Sequence, residues 1–185
     1  MTMLASRGQL RASFIRWALF TVPLCVLLGF LSGQLGGPDT LWFQSLEKPA
    51  SFPPAKWFGI VWGVLFVMIG LALAVVCAAW GARRRTAALW VFAGHFALTL
   101  AWTPVFFAAQ QIFVALIVLV LVVLTLLVVI ALFWKVRRMA GLLLLPYLAW
   151  VIFASVLNYQ FYALNPDTAD ASAPDGAIER VRIGD

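Results

Sequence analysis

Titratable chemistry is scarce in this chain, which has one histidine, two cysteines and seven carboxylates among 185 residues. A single histidine, His95, rules out any multi-histidine metal site. Cys25 and Cys77 sit inside apolar stretches, far from any Cys-x-x-Cys or Cys/His spacing. They read as small buried apolar residues, not as a disulfide framework or a zinc site. No carboxylate pair falls within an apolar run, no Ser or Cys has a His partner at helical spacing, and no glycine-rich phosphate loop follows a strand. The residue sets that nucleophilic, acid-base and nucleotide-dependent enzymes rely on are therefore missing. Charge of either sign is also thin, 11% of residues against 64% apolar, which leaves too little polar surface to cover a water-soluble globule. The solvent that suits this composition is lipid.

What is abundant is uncharged sequence of helical length. Five apolar runs, at 17–35, 57–80, 86–109, 112–134 and 139–164, are each long enough to cross a hydrocarbon core about 30 Å thick, which takes about 20 residues. None shows strand-like alternation, and backbone in lipid must satisfy its own hydrogen bonds. The expected fold is therefore all-α, a bundle of five transmembrane helices within residues 14–165. A basic segment, 1–13, precedes it, and residues 166–185, rich in Asp, Ala, Ser, Pro and Gly, read as a disordered tail. The connection 36–56 contains Gly36-Gly37-Pro38, Lys48-Pro49 and Pro53-Pro54, so it is expected to form a shaped loop. Only Gln110-Gln111 separates the third and fourth runs, which forces a tight antiparallel hairpin.

Arg7, Arg11 and Arg16 ahead of the first run also resemble the start of a secretory signal, a reading that would leave four helices. Against it, Trp17 to Leu31 is long for a signal core, and Ser32-Gly33-Gln34-Leu35 is a poor cleavage site. With five helices, nine basic residues fall on one side: Arg7, Arg11, Arg16, Arg83, Arg84, Arg85, Lys135, Arg137 and Arg138. Four fall on the other, Lys48, Lys56, Arg180 and Arg182, which puts the N-terminus in the cytoplasm and the C-terminus opposite. Because these cations cluster between apolar runs and not along one face, the net charge of +6 does not indicate a nucleic-acid partner.

Polar and aromatic residues inside membrane segments are where a site is expected. On the third run His95, Thr99 and Trp102 share a face that Phe106 continues, with Pro104 expected to kink the helix. Trp62, Phe66 and Ile69 share a face on the second run, and Tyr147, Trp150, Ala154 and Asn158 share one on the fifth. The fourth run offers only Thr125 between Gln111 and Trp134, so it is expected to face lipid or another subunit. Trp80, Trp90 and Trp134 fit interfacial anchors, while Trp62, Trp102 and Trp150 lie deeper, where a flat conjugated ligand could stack; packing is the alternative reading of such stripes. For His95 a hydrogen bond to a neighbouring helix is preferred over axial ligation of a porphyrin iron.

At these residues the chain resembles the TspO/translocator protein family, the tryptophan-rich sensory proteins also called peripheral benzodiazepine receptors. Trp42-Phe43-Gln44-Ser45-Leu46-Glu47-Lys48-Pro49, then Phe52-Pro53-Pro54 and Val61-Trp62-Gly63-Val64-Leu65-Phe66, are similar to the family pattern W-Y-x-x-L-x-K-P-x-W-x-P-P followed by V-W-x-x-L-Y. Trp102-Thr103-Pro104-Val105-Phe106-Phe107 resembles W-x-P-x-F-F, and Pro146-Tyr147-Leu148-Ala149-Trp150 with Phe153-Ala154-Ser155-Val156-Leu157-Asn158 resembles P-Y-L-x-W-x-x-F-A-x-x-L-N.

The resemblance implies a five-helix bundle, commonly a homodimer, whose first loop lids a cavity accepting porphyrins, cholesterol-like lipids and isoquinoline or benzodiazepine drugs. Gly59-x-x-x-Gly63 is a weak hint of close helix contact. Carried over, the pocket takes Trp42, Phe43, Pro53, Pro54, Trp62, Phe66, Trp102, Trp150, Ala154 and Asn158, with Trp62 and Trp150 the candidates for light-dependent porphyrin breakdown. The chain departs from the family at Ser51, where the loop Trp is replaced. It departs again at His95 and Thr99, which replace Gln and Asn, and at Phe43 and Phe66, which replace Tyr. No Lys or Arg follows Tyr159 before Arg180, so the cholesterol-recognition pattern is absent.

The expected function is thus an integral membrane binding or sensory protein for porphyrins and similar planar lipophiles. Asn158, Thr99 and His95 would supply hydrogen bonds, and Lys48 would receive propionates at the loop mouth. Porphyrin or haem is a ligand in this reading, and no cofactor is required. The alternatives are a light-dependent porphyrin-degrading enzyme and a lipid or sterol transporter.

Overall fold

The computed structural model describes residues 7–166, so the N-terminal six residues and nearly all of the expected disordered tail lie outside the described range. The elements are α1 (Arg7–Gly33), a short α2 (Leu41–Ser45), α3 (Ala55–Cys77), α4 (Arg85–Thr103), α5 (Ile112–Val136), α6 (Arg138–Leu143) and α7 (Leu145–Leu164). There is no strand among the described residues, and five spans are long and apolar enough to cross a membrane, the last made by α6 and α7 together. Basic residues do not end α1 at Trp17, since it runs back to Arg7 through helix formers such as Leu10, Arg11 and Ala12.

Prolines decide where these spans are irregular. Pro104 has no N–H to give to the Leu100 carbonyl. Instead of a simple kink, the chain widens into a π-helical turn, Pro104–Ala108, in which Ala109 N–H donates to Pro104 O (2.8 Å) and Gln111 N–H to Val105 O (3.1 Å). The stranded Leu100 carbonyl accepts a hydrogen bond from Ser32 Oγ on α1 (2.7 Å), a neighbouring helix supplying the missing donor. Pro146 acts similarly on the last span, which is expected as one helix from 139. The chain breaks at Leu144, whose N–H donates to Gly141 O (3.1 Å), and resumes with Pro146 in the first turn of α7.

Helix α1 lies closely on α3. A Cβ on Gly70 would lie 2.6 Å from Val22 Cα, and Thr21 Oγ1 donates to Gly70 O (2.8 Å), so the missing side chain lets two backbones meet. Contrary to the lipid-facing role expected of it, α5 buries a full stripe, Ile112, Ala115, Leu119, Val122, Leu126, Val129, Phe133 and Val136. The spacing of three and four residues is that of a helix with one face in the core, and Leu121, Leu124 and Val128 face outward. Trp80, Trp90 and Trp134 are exposed as anchors should be; Arg85 lies over the Trp80 ring (4.3 Å) while donating to the Val76 and Cys77 carbonyls at the end of α3.

The first connection is a lid built on α2. Thr40 caps it, accepting from Phe43 N–H (3.3 Å), and Phe43 inserts among Phe52, Phe106, Phe107 and Phe161 with ring centroids 5.3–6.3 Å away. Beyond it, Ser51 donates to Gln160 Oε1, and Asn165 pairs with the Glu47 backbone in both directions (2.8 and 3.0 Å), tying the second half of the lid to α7.

Candidate functional site

A cavity of about 620 Å³ opens between α1, α3 and α4 beneath residues 34–39. Its apolar walls are Val26 and Phe30 from α1, Phe58, Trp62 and Phe66 from α3, and Leu100, Trp102 and Phe107 from α4 and its π-helical turn. Of the residues expected at the site, Trp62, Phe66, Thr99 and Trp102 line it. A second, tight void of about 30 Å³ lies under the lid and is lined by Phe43, Trp102, Phe106, Ala154 and Asn158 among others. Trp102, Phe58, Phe107 and Pro38 line both spaces.

The expected pocket therefore divides. Asn158 does not offer its amide to the large cavity: Oδ1 accepts from Trp102 Nε1 (3.2 Å) and Nδ2 donates to Ile112 O (2.9 Å), which fixes the indole in the dividing wall. Trp150 lies outside both spaces, against Phe58 and Phe153 at 5.3 Å, with its buried Nε1 unpartnered among the described residues. Trp42 packs edge-on to Phe106 (5.6 Å), and Pro53 and Pro54 form the approach to α3 without lining either space.

Lys48 is committed elsewhere. Its ammonium carries three N–H groups, and three carbonyls at the end of α2 lie within reach, Phe43 O (3.3 Å), Gln44 O (3.1 Å) and Leu46 O (3.2 Å). It works as a C-cap for a helix too short to satisfy those carbonyls itself.

His95 and Tyr147 form a buried polar chain behind the cavity wall. His95 Nδ1 lies 2.9 Å from Thr125 Oγ1, Nε2 lies 3.3 Å from Tyr147 Oη, and Tyr147 Oη lies 2.7 Å from Thr99 Oγ1. Thr125, expected to contribute nothing, is thus one end of the network. In one polarity Nδ1–H donates to Thr125, which donates to Leu121 O (2.7 Å), while Thr99 donates to Tyr147 and Tyr147 to Nε2. In the other, Nε2–H donates to Tyr147, Tyr147 to Thr99, and Thr99 to His95 O (3.1 Å). Either way the Thr99 proton is used inside the protein, so Thr99 turns only lone pairs toward the cavity.

Sequence reasoning missed the α1 wall, including Gly29, Ser32 and Gly33, together with Gln34, Gly36, Gly37, Pro38, Asp39, Lys56 and Thr103. Small residues were the available signal. Gly29 and Gly33 stand four apart on α1, as Gly59 and Gly63 do on α3. A Cβ added at Gly33, Gly59 or Gly63 meets nothing within 4 Å, so Gly59-x-x-x-Gly63 borders open space and not a packed helix of this chain.

The chain has relatives in sequence. The chain is 35% identical to the tryptophan-rich protein TspO of Chlorobaculum tepidum over 147 residues, covering 78% of this chain and 93% of that one. It is 36% identical to the translocator protein of Sus scrofa over 134 residues, 71% and 79% of the two chains. It is 32% identical to the tryptophan-rich sensory protein of Cereibacter sphaeroides over 158 residues, 85% and 98%. The description TspO/MBR family fits residues 21–164, which hold the lid, the cavity and the buried polar chain, and an integral membrane protein of five spans with this match belongs to the TspO/MBR family.

Proposed function

We propose that this membrane protein binds planar lipophiles of the tetrapyrrole kind and senses or passes them on. The observation that carries the reading is the cavity, whose volume of about 620 Å³ lies within the range of about 300–1,000 Å³ usual for small-molecule sites. A flat ring entering beneath residues 34–39 would stack against Trp62, Phe66 and Trp102, while Gly59 and Gly63 leave the α3 wall flat. Thr99 would accept a hydrogen bond from the ligand at depth, and charged groups would stay near the water-filled mouth. The nine-to-four division of basic residues supports a cytoplasmic N-terminus, with the mouth on the opposite side. Binding is also the step common to relatives named as a translocator and a sensory protein. Porphyrin breakdown is the weaker reading, because Trp62 faces the cavity while Trp150 does not.

Titration of purified protein with protoporphyrin, followed by tryptophan fluorescence, should give saturable quenching. Gly63→Leu, which pushes a side chain into open space, should weaken binding at least about tenfold through lost stacking area and leave thermal stability unchanged. Quenching that never saturates, or that is the same in Gly63→Leu, would refute the cavity as the ligand site.

A further inference from the structure

We propose that Lys56 is the residue of this cavity that reads a negative charge, so that the ligand is a planar lipophile with a carboxylate or similar anionic group on one edge. The inference rests on the cavity being the lipophile site proposed above.

Two lysines lie on the loop side of the bundle, and the structure separates their roles. Lys48 Nζ lies within hydrogen-bond reach of the Phe43, Gln44 and Leu46 carbonyls at the end of α2 and lines neither space. Lys56, the second residue of α3, lines the large cavity and is exposed, with no hydrogen bond or ion pair among the described residues.

Its position on α3 fits the purpose. Lys56, Gly59, Gly63 and Phe66 follow one another at spacings of three, four and three, which places them along one helix face. At 1.5 Å per residue the backbone rises about 15 Å from Lys56 to Phe66. A Cβ at either glycine would meet nothing within 4 Å, so this stretch of the face borders open space, flanked by Trp62. A flat ring lying on the glycines would have its inner edge at Phe66 and its outer edge within reach of Lys56, whose four methylenes can follow the apolar wall while the ammonium stays in water.

The remaining polar lining sharpens the sign. Ser32 is held by Leu100 O and Thr99 by the buried chain, which leaves Gln34, Asp39 and Lys56 as the long or charged groups facing the mouth. Lys56 is the one cation of the lining and Asp39 the one anion, and they form no ion pair with each other within 4.0 Å. An anionic edge therefore meets an unpartnered ammonium, and Asp39 limits how much negative charge the mouth tolerates.

The test compares protoporphyrin, a dicarboxylate, with its dimethyl ester, which keeps the ring and removes the charge. Binding is followed by tryptophan quenching in phosphatidylcholine nanodiscs, so that no anionic lipid competes for the lysine. Lys56→Gln should weaken the diacid about three- to tenfold and leave the ester unchanged, Lys56→Glu should weaken it further, and Asp39→Asn should tighten it slightly. The diacid advantage of the wild type should also shrink as salt is raised. If both probes bind and Lys56→Gln alters them equally or not at all, the assignment of Lys56 is overturned while the cavity stands. If neither probe binds the wild type, the cavity reading falls and this inference falls with it.

Discussion

Ser32 and Tyr147 illustrate how single hydroxyls are used in this protein. Pro104 leaves the Leu100 carbonyl without its helical donor, and Ser32 supplies the bond from α1. Ser32→Ala should lower stability by about 0.6–1.7 kcal/mol, the range of interhelical hydrogen bonds in membranes, read as a lower midpoint in detergent unfolding. Tyr147→Phe removes the link between Thr99 and His95 Nε2, and Thr125→Val removes the partner of Nδ1. Because the two act through one imidazole, their combined effect should fall short of the sum of the separate ones in a double-mutant cycle, since either change already breaks the chain. Additive losses would mean that the ring does not couple them.

Among the elements, α1 and α3 meet through glycines that serve different ends. At Gly70 an added methyl would meet Val22 backbone, so Gly70→Ala must push the helices apart and should cost about 1–3 kcal/mol. At Gly29 the obstacle is the Phe66 ring, a side chain bordering the cavity, so Gly29→Ala should turn that ring into the cavity with a smaller loss of stability and a larger loss of ligand affinity. Unfolding midpoints and quenching titrations on the same two variants separate these outcomes: the idea fails if Gly29→Ala is the less stable of the pair. The lid divides similarly. Its second half is fastened to the end of α7 by Ser51 and Asn165, whereas Gln34 and Gly36 to Asp39 in the first half border the cavity. None of these assignments is visible from spacing alone. Gly29, Gly59, Gly63 and Gly70 look alike in sequence, and what faces each one depends on how two distant helices cross.

For the whole molecule, both native thiols are buried, so a labelling experiment starts from a silent background. Arg84→Cys, in the exposed turn before α4, and Gln44→Cys, on the exposed side of α2, should react with a membrane-impermeant maleimide from opposite sides of sealed vesicles. Arg84→Cys should be reached from the cytoplasmic side. Labelling of both from one side would contradict the five-span topology.

Hydropathy marked the five runs, because lipid penalises every unpaired backbone group and about 20 apolar residues are the shortest helical answer, and the spacing of basic clusters favoured keeping all five. The lid was legible for a related reason, since Pro49, Pro53 and Pro54 cannot continue a helix. The aromatic and polar faces of the second, third and fifth spans were legible too, as helical period puts such residues in register. Which of those faces borders open space was decided only in the tertiary structure. Trp62, Phe66, Thr99 and Trp102 line the large cavity because α1 stands across from them, while Tyr147 is buried and the half-buried Trp150 packs against Phe58 and Phe153 instead. The engagement of Lys48, while Lys56 lines the cavity, is of the same kind. A sequence shows that an ammonium is present, but only the fold shows whether three carbonyls have already taken its protons.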